Sequence, residues 1–193
     1  MNALIVFVKN PVKGKVKTRL SATMGEDKAL AIYRELLLHT RNLCQLLTDT
    51  QVVVYYADFL NQDDLWNSFK KQLQCNGDLG DRMYEAFKTE ESADKMVIIG
   101  SDCFELKPSH IQEAFDSLSS NDAVIGPAND GGYYLLGLKK AENKVFNEMK
   151  WSTSDVFSQT IDRFKELNLS YLVLEELVDI DTEEDLKISR KNE

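Results

Sequence analysis

Between residues 9 and 20 the chain reads KNPVKGKVKTRL, which sets Lys9, Lys13, Lys15, Lys17 and Arg19 around Gly14. The protein as a whole carries a formal net charge of −9. A nucleic acid or an anionic membrane would be repelled by most of such a surface, so positive charge gathered at one point fits a small anionic ligand. The chemistry on offer is that of a diphosphate site. Ammonium and guanidinium groups make charge-assisted bonds to phosphate oxygens, and loop amides add to them. Two standard phosphate motifs are excluded. A P-loop needs glycine where Lys9 stands and a hydroxyl where Val16 stands, and the dinucleotide fingerprint needs three glycines where only Gly14 is present. The bland alternative is a solvated basic loop.

Four further stretches carry groups of chemical interest. In GSDCFEL, Ser101 and Asp102 follow an apolar run directly; a carboxylate there is costly without a cation or a donor. It suits a hard divalent ion that bridges phosphates, Mg or Mn, and equally a helix cap. In GPANDGGYYLLGL, Asp130 precedes Gly131 and Gly132, which permit positive φ and close backbone approach to a ligand, or simply a hairpin turn. QCNGDLGDRM offers Gln74, Gly77, Asp78, Leu79 and Gly80 as a polar loop able to cradle a base or ribose, or merely to connect two elements. VDIDTEEDL places Asp179 and Asp181 before a helix, one to cap it and the other to face a metal. Trp151-Ser152-Thr153 reads either as an acceptor pocket or as a helix start, and His39 and His110, with no partner at metal or triad spacing, read as structural.

These groups need a scaffold that brings distant segments to one edge. The 193 residues, without a Gly/Ser/Pro-rich linker, fit a single domain spanning 1–193. Continuous apolar runs at 2–8, 51–57, 96–100, 122–127, 133–138 and 170–175 read as buried strands. Helical periodicity covers 25–47, 63–73, 81–90, 108–118 and 154–167, and Thr182 opens a last helix. The NDGG turn is too short for a parallel crossover, so strand 133–138 is expected either to run antiparallel or to lie outside the main order. Strand and helix otherwise alternate, the pattern of an open α/β sheet with ligands beyond the carboxyl ends of its strands. The three cysteines, Cys44, Cys75 and Cys103, fit reduced thiols. With no signal-type or membrane-spanning segment, the expected location is cytoplasmic.

Taken in order, FVKNPVKGKVKTRL, GDLGDRM, IGSD, GPANDGGYYLLGL, WST and DIDTEEDL resemble a small bacterial GT-A-like glycosyltransferase family, formerly an uncharacterised domain family, whose members include proteins of arsenosugar biosynthesis. The resemblance spans nearly the whole chain. It implies a Rossmann-like nucleotide-diphospho-sugar transferase fold, a mostly parallel sheet flanked by helices. Residues 17–20 look like the phosphate loop of sugar nucleotidyltransferases, and Asp102 matches the strand-end aspartate that binds Mg or Mn, with Asp181 assisting. DGGYYL and DIDTEEDL are also similar to segments of the guanylyltransferases of molybdenum and deazaflavin cofactors. Cys103-Phe104 stand where the family usually has proline. The implied activity is glycosyl transfer from a nucleotide-diphosphate sugar to a small-molecule acceptor, with Arg19 and Asp130 catalytic, Asp130 as base if the reaction inverts. A nucleotidyltransferase using a nucleoside triphosphate and releasing pyrophosphate is the alternative, and a non-catalytic nucleotide-binding regulator is a third. One geometric expectation follows at once: Lys17 and Asp102 belong in one cleft at the carboxyl edge of the sheet, and coordinates placing them on opposite edges would defeat it.

Overall fold

The computed structural model describes residues 1–192. Its centre is β1 (Asn2–Val8), whose continuous apolar run is covered on both faces. Leu4, Val6 and Val8 enter one core, while Ala3 and Ile5 enter the other. Beside β1 lie β2 (Thr50–Tyr56) and β4 (Lys95–Ile99), both parallel to it. Beyond β2 comes β3 (Lys70–Leu73), and beyond β4 come β6 (Tyr133–Leu138), β5 (Ala123–Pro127) and β7 (Tyr171–Val173), in the order β3-β2-β1-β4-β6-β5-β7. Strand β6 runs antiparallel to both neighbours, as its short connection requires.

Helices cover both faces. On one, α2 (Glu26–Gln45) and α4 (Pro108–Ser117) contribute Tyr33, Leu37, Ile111 and Phe115; on the other, α3 (Leu79–Thr89) and α5 (Val156–Glu166) contribute Met83, Phe87 and Phe164. A third cluster joins α1 (Thr18–Met24) and α2 to the C-terminal segment and α6 (Glu183–Asn192), through Leu20, Ile32, Leu36, Ile180 and Leu186. Among the described residues no helix is long and apolar enough to cross a membrane.

Two expectations are corrected. Residues 63–73 are not a helix: 57–69 form turns pinned by Asp64, which accepts from the Tyr56 hydroxyl and the Lys71 ammonium, and 70–73 pair with β2. The polar KKQL run has no alternating apolar signal because it is an edge strand with half-exposed side chains. The stretch 9–20 is not loop throughout, since α1 begins at Thr18 and a break at Gly25 separates it from α2.

Gly131 shows how the turn before β6 is locked. Its φ is +87°, and a Cβ added there would lie 2.0 Å from the Ser154 carbonyl oxygen, while its own carbonyl accepts from the Phe157 amide at 2.9 Å. The turn is thereby fastened to the start of α5. Gly131→Ala combines left-handed strain with a backbone clash and should lower stability by about 2 kcal/mol or more, seen as a fall in Tm of about 2–4 °C per kcal/mol in thermal unfolding. An unchanged Tm would mean that the turn is not fastened in this way.

Candidate functional site

The carboxyl ends of β1, β2 and β4 open into a cleft of about 740 Å³, within the range of small-molecule sites. Lys17 occupies its base. As the residue before α1 it has a left-handed backbone (φ 48°, ψ 48°) and makes no side-chain cap, and its side chain is only 4 % exposed. The ammonium lies 2.9 Å from Asp102 Oδ1 and 3.3 Å from Asp181 Oδ1, and Arg19 Nη1 lies 3.3 Å from Asp181 Oδ2. Lys17 and Asp102 therefore share one cleft, as expected. The contact to Asp102 is a close ion pair, and the Oδ1 it engages is shielded from solvent.

Charge and burial compete here. Burial pulls the Lys17 ammonium towards neutrality, but Asp102, Asp179 and Asp181 together outweigh it and hold the pKa above the ordinary lysine value. Asp179 is the residue under stress. Burial first and then the charge of Asp102 push its carboxyl up to about 8, with Lys17 opposing and with Asp130 and Asp181 adding to the rise.

Several open alternatives close. Asp102 is no helix cap, because α4 starts later, with Lys107 as its N-cap. Neither Asp179 nor Asp181 caps α6: Thr182 and Asp185 bond reciprocally at its start. Trp151 is not a helix start, since α5 is preceded by Asp155. Asp78 does cap α3, in a reciprocal pair with Asp81.

Of the residues singled out from the sequence, Lys9, Lys15, Lys17, Arg19, Gln74, Gly77, Asp78, Leu79, Ser101, Asp102 and Asp181 line the cleft. Lys13 is outside it, paired with Asp27 at 2.7 Å, and Gly14, Gly80, Asp130, Gly131 and Gly132 do not line it. The close approaches at Gly131 and Gly80 are internal: Ser154 for the first, and for the second the Trp151 ring, whose Cζ2 would be 2.7 Å from an added Cβ. Asp130 sits in the turn, its Oδ1 accepting from the Gly132 amide. Arg82, Tyr33 and Trp151 also line the cleft. Arg82, whose Nε donates to the Gly77 carbonyl, was visible in GDLGDRM as a cation beside a polar glycine loop. Asp179 was visible only as one of two aspartates.

Oxygen donors of this kind suit Mg or Mn, and the raised Asp179 pKa marks a carboxylate short of positive charge. Among the described residues, however, no three acidic, thiol or imidazole groups are gathered closely enough to hold an ion as they stand.

A family model described as an uncharacterized protein conserved in bacteria, DUF2064, matches residues 40–153. The chain belongs to the DUF2064 family. A solved relative from Desulfovibrio desulfuricans G20, provisionally assigned as a nucleotide-diphospho-sugar transferase, is 32 % identical, superposes with a TM-score of 0.90, and is matched over 100 % of this chain and 87 % of its own. This DUF2064 protein thus has the nucleotide-diphospho-sugar transferase fold. The 2-phospho-L-lactate guanylyltransferase of Methanocaldococcus jannaschii (strain ATCC 43067 / DSM 2661 / JAL-1 / JCM 10045 / NBRC 100440) is 28 % identical over 94 % of this chain and 80 % of that one. The 4-diphosphocytidyl-2C-methyl-D-erythritol synthase of Anaerococcus prevotii DSM 20548 shares the fold alone, with a TM-score of 0.64 at 9 % identity over 99 % and 97 % of the two chains.

The Asp179 pKa gives a signed prediction. Its folded value of about 8 lies above the ordinary 3.8, so between these limits the folded state keeps a proton that the unfolded state releases, and stability falls as pH rises. Asp179→Asn removes that loss. Its Tm should exceed that of the parent at pH 8, with the gap narrowing towards pH 5 and vanishing below 4; parallel Tm–pH curves would show that Asp179 is an ordinary carboxylate.

Proposed function

We propose that this protein is a metal-dependent transferase that binds a nucleotide-diphosphate sugar and passes the glycosyl group to a small-molecule acceptor. The observation that carries this reading is the joining, at one sheet edge, of the basic residues of 9–20 to Asp102 and Asp181. Few other chemistries ask for lysine, arginine and several carboxylates in one cleft. The charged groups gathered around Lys17 are what a diphosphate and its counter-ion need.

In this reading Lys15, Lys17 and Arg19 surround the phosphates, Arg19 through its planar fork. Gln74 and the 77–79 loop face the base and ribose; Gln74 is held by its own amide, which donates to the Tyr55 carbonyl at 3.1 Å. Asp102, with Asp179 and Asp181, would hold Mg or Mn, which supplies positive charge as the diphosphate departs. Trp151 and Ser152 border the acceptor side. Asp130, the proposed base for an inverting reaction, is outside the cleft lining with its Oδ1 engaged in the turn, so that role requires the turn to bring Oδ2 within reach of the acceptor.

Nucleotidyl transfer is the second reading, favoured by the guanylyltransferase relative. There an acceptor phosphate attacks the α-phosphate of a nucleoside triphosphate and pyrophosphate leaves, with the same basic residues and carboxylates in use. Product analysis separates the two: nucleoside diphosphate from nucleotide sugars, or pyrophosphate from triphosphates. Neither product, across a panel of both donor classes with Mg and with Mn, would leave a silent nucleotide binder.

Two substitutions test the site itself. Asp102→Asn should fold, lose the metal-dependent part of nucleotide affinity, and lose turnover roughly a hundredfold, more than it loses binding, because developing charge is stabilised most in the transition state. Arg19→Ala should weaken nucleotide binding by roughly tenfold, the value of a charged hydrogen bond. Equal metal enhancement in parent and Asp102→Asn, measured by calorimetry, would remove Asp102 from the mechanism.

A further inference from the structure

We propose that Lys17 is the resident counter-cation of this cleft: its ammonium neutralises Asp102 and Asp181 until a diphosphate draws it away, so a divalent ion is taken up with the diphosphate and not before it. This holds only if the cleft is the metal and diphosphate site proposed above.

The placement of Lys17 sets it apart from every other basic residue near the cleft. Lys13 pairs with Asp27 outside it, among the described residues Lys9, Lys15 and Arg82 form no ion pair, and Arg19 is 67 % exposed with its carboxylate contact to Asp181. Lys17 touches two of the three aspartates at 2.9 and 3.3 Å with only 4 % of its side chain exposed. It reaches them from a left-handed backbone conformation, which a lysine adopts only at an energetic cost. That cost is met only if the inward position is strongly held.

The carboxylates, for their part, are not assembled for a metal. No acidic trio among the described residues is close enough to hold an ion as it stands, and the ammonium lies against the very oxygens an ion would need. A divalent ion arriving alone meets that ammonium and is repelled at short range. Lysine carries a point charge on a flexible four-carbon stem, so Lys17 can swing to a phosphate without moving α1. Asp102 is then released, and Asp181 keeps only its contact with Arg19.

The test reads metal binding directly on the full chain. Mn binding is followed by the electron paramagnetic resonance of the free ion, without nucleotide, for the parent, Lys17→Met and Lys17→Arg. Removing the ammonium should tighten Mn binding by roughly tenfold or more, while Lys17→Arg stays as weak as the parent. Inorganic pyrophosphate, corrected with a protein-free control, should raise Mn retention by the parent, and Asp102→Asn should abolish the rise. A parent that binds Mn alone as tightly as Lys17→Met overturns the inference and leaves the metal site standing. No Mn binding by any protein, with or without pyrophosphate, overturns the metal reading and the inference with it. If Lys17→Met fails to fold, the parent decides: no gain in Mn retention on adding pyrophosphate overturns the inference.

Discussion

An ammonium group shielded from water at the end of a sheet must be met by opposing charge, and Lys17 is met from two directions. Asp102 arrives at the end of β4, and Asp181 at the close of the segment that precedes α6. Removing one partner from such a buried set costs more than the contact itself is worth, because the remaining charge stays unpaired. The C-terminal segment is therefore part of the site and not an appendage. Ile180 donates its amide to the Asp102 carbonyl at 2.9 Å, and Val178, Ile180 and Leu186 pack onto Leu20, Ile32 and Leu36. Apolar packing of α6 against α1 and α2 holds Asp181 where Lys17 needs it.

The antiparallel strand explains how the far half of the sheet reaches the same point. Because β6 returns between β4 and β5, the turn joining β5 to β6 projects from the edge that bears the cleft. Its Asn129 amide donates to the Leu177 carbonyl, and the Asp179 amide donates to Asn129 Oδ1 at 3.0 Å. The turn thus positions the segment that carries Asp179 and Asp181. The nearness of Asp130 to Asp179 follows from the same geometry, and it adds to the rise of the Asp179 pKa.

Most of the scaffold was legible in the sequence because buried strands advertise themselves: β1, β4 and β6 are nearly unbroken apolar runs whose ends coincide with the motifs. The strand 70–73 was hidden because an edge strand with polar side chains has neither periodicity nor hydrophobicity to show. For the site, residue types after strands and before helices singled out Lys17, Arg19, Asp102 and Asp181, which the structure brings into one cleft. What spacing could not show is that these residues pair with one another, since an ion pair across 164 positions depends on how α6 docks. The stress on Asp179 was equally out of reach, for it comes from burial and from neighbours supplied by three other segments. Gly80, Gly131 and Gly132 looked like ligand-facing glycines because a close approach of side chain or backbone leaves the same local mark as a close approach of ligand.

Charge balance in the cleft links these features into one behaviour. With Asp179 protonated, Lys17 and Arg19 offset Asp102 and Asp181, and the cluster stands near neutrality. A diphosphate added alone brings negative charge beside two carboxylates, and a divalent ion added alone brings positive charge beside an ammonium. Added together they nearly cancel. In a cleft that takes both, as proposed above, each partner would raise the affinity for the other by the same factor, as linkage requires. The self-neutralised state would make that coupling large, because a site with its carboxylates already free would take the cation without waiting for the phosphate.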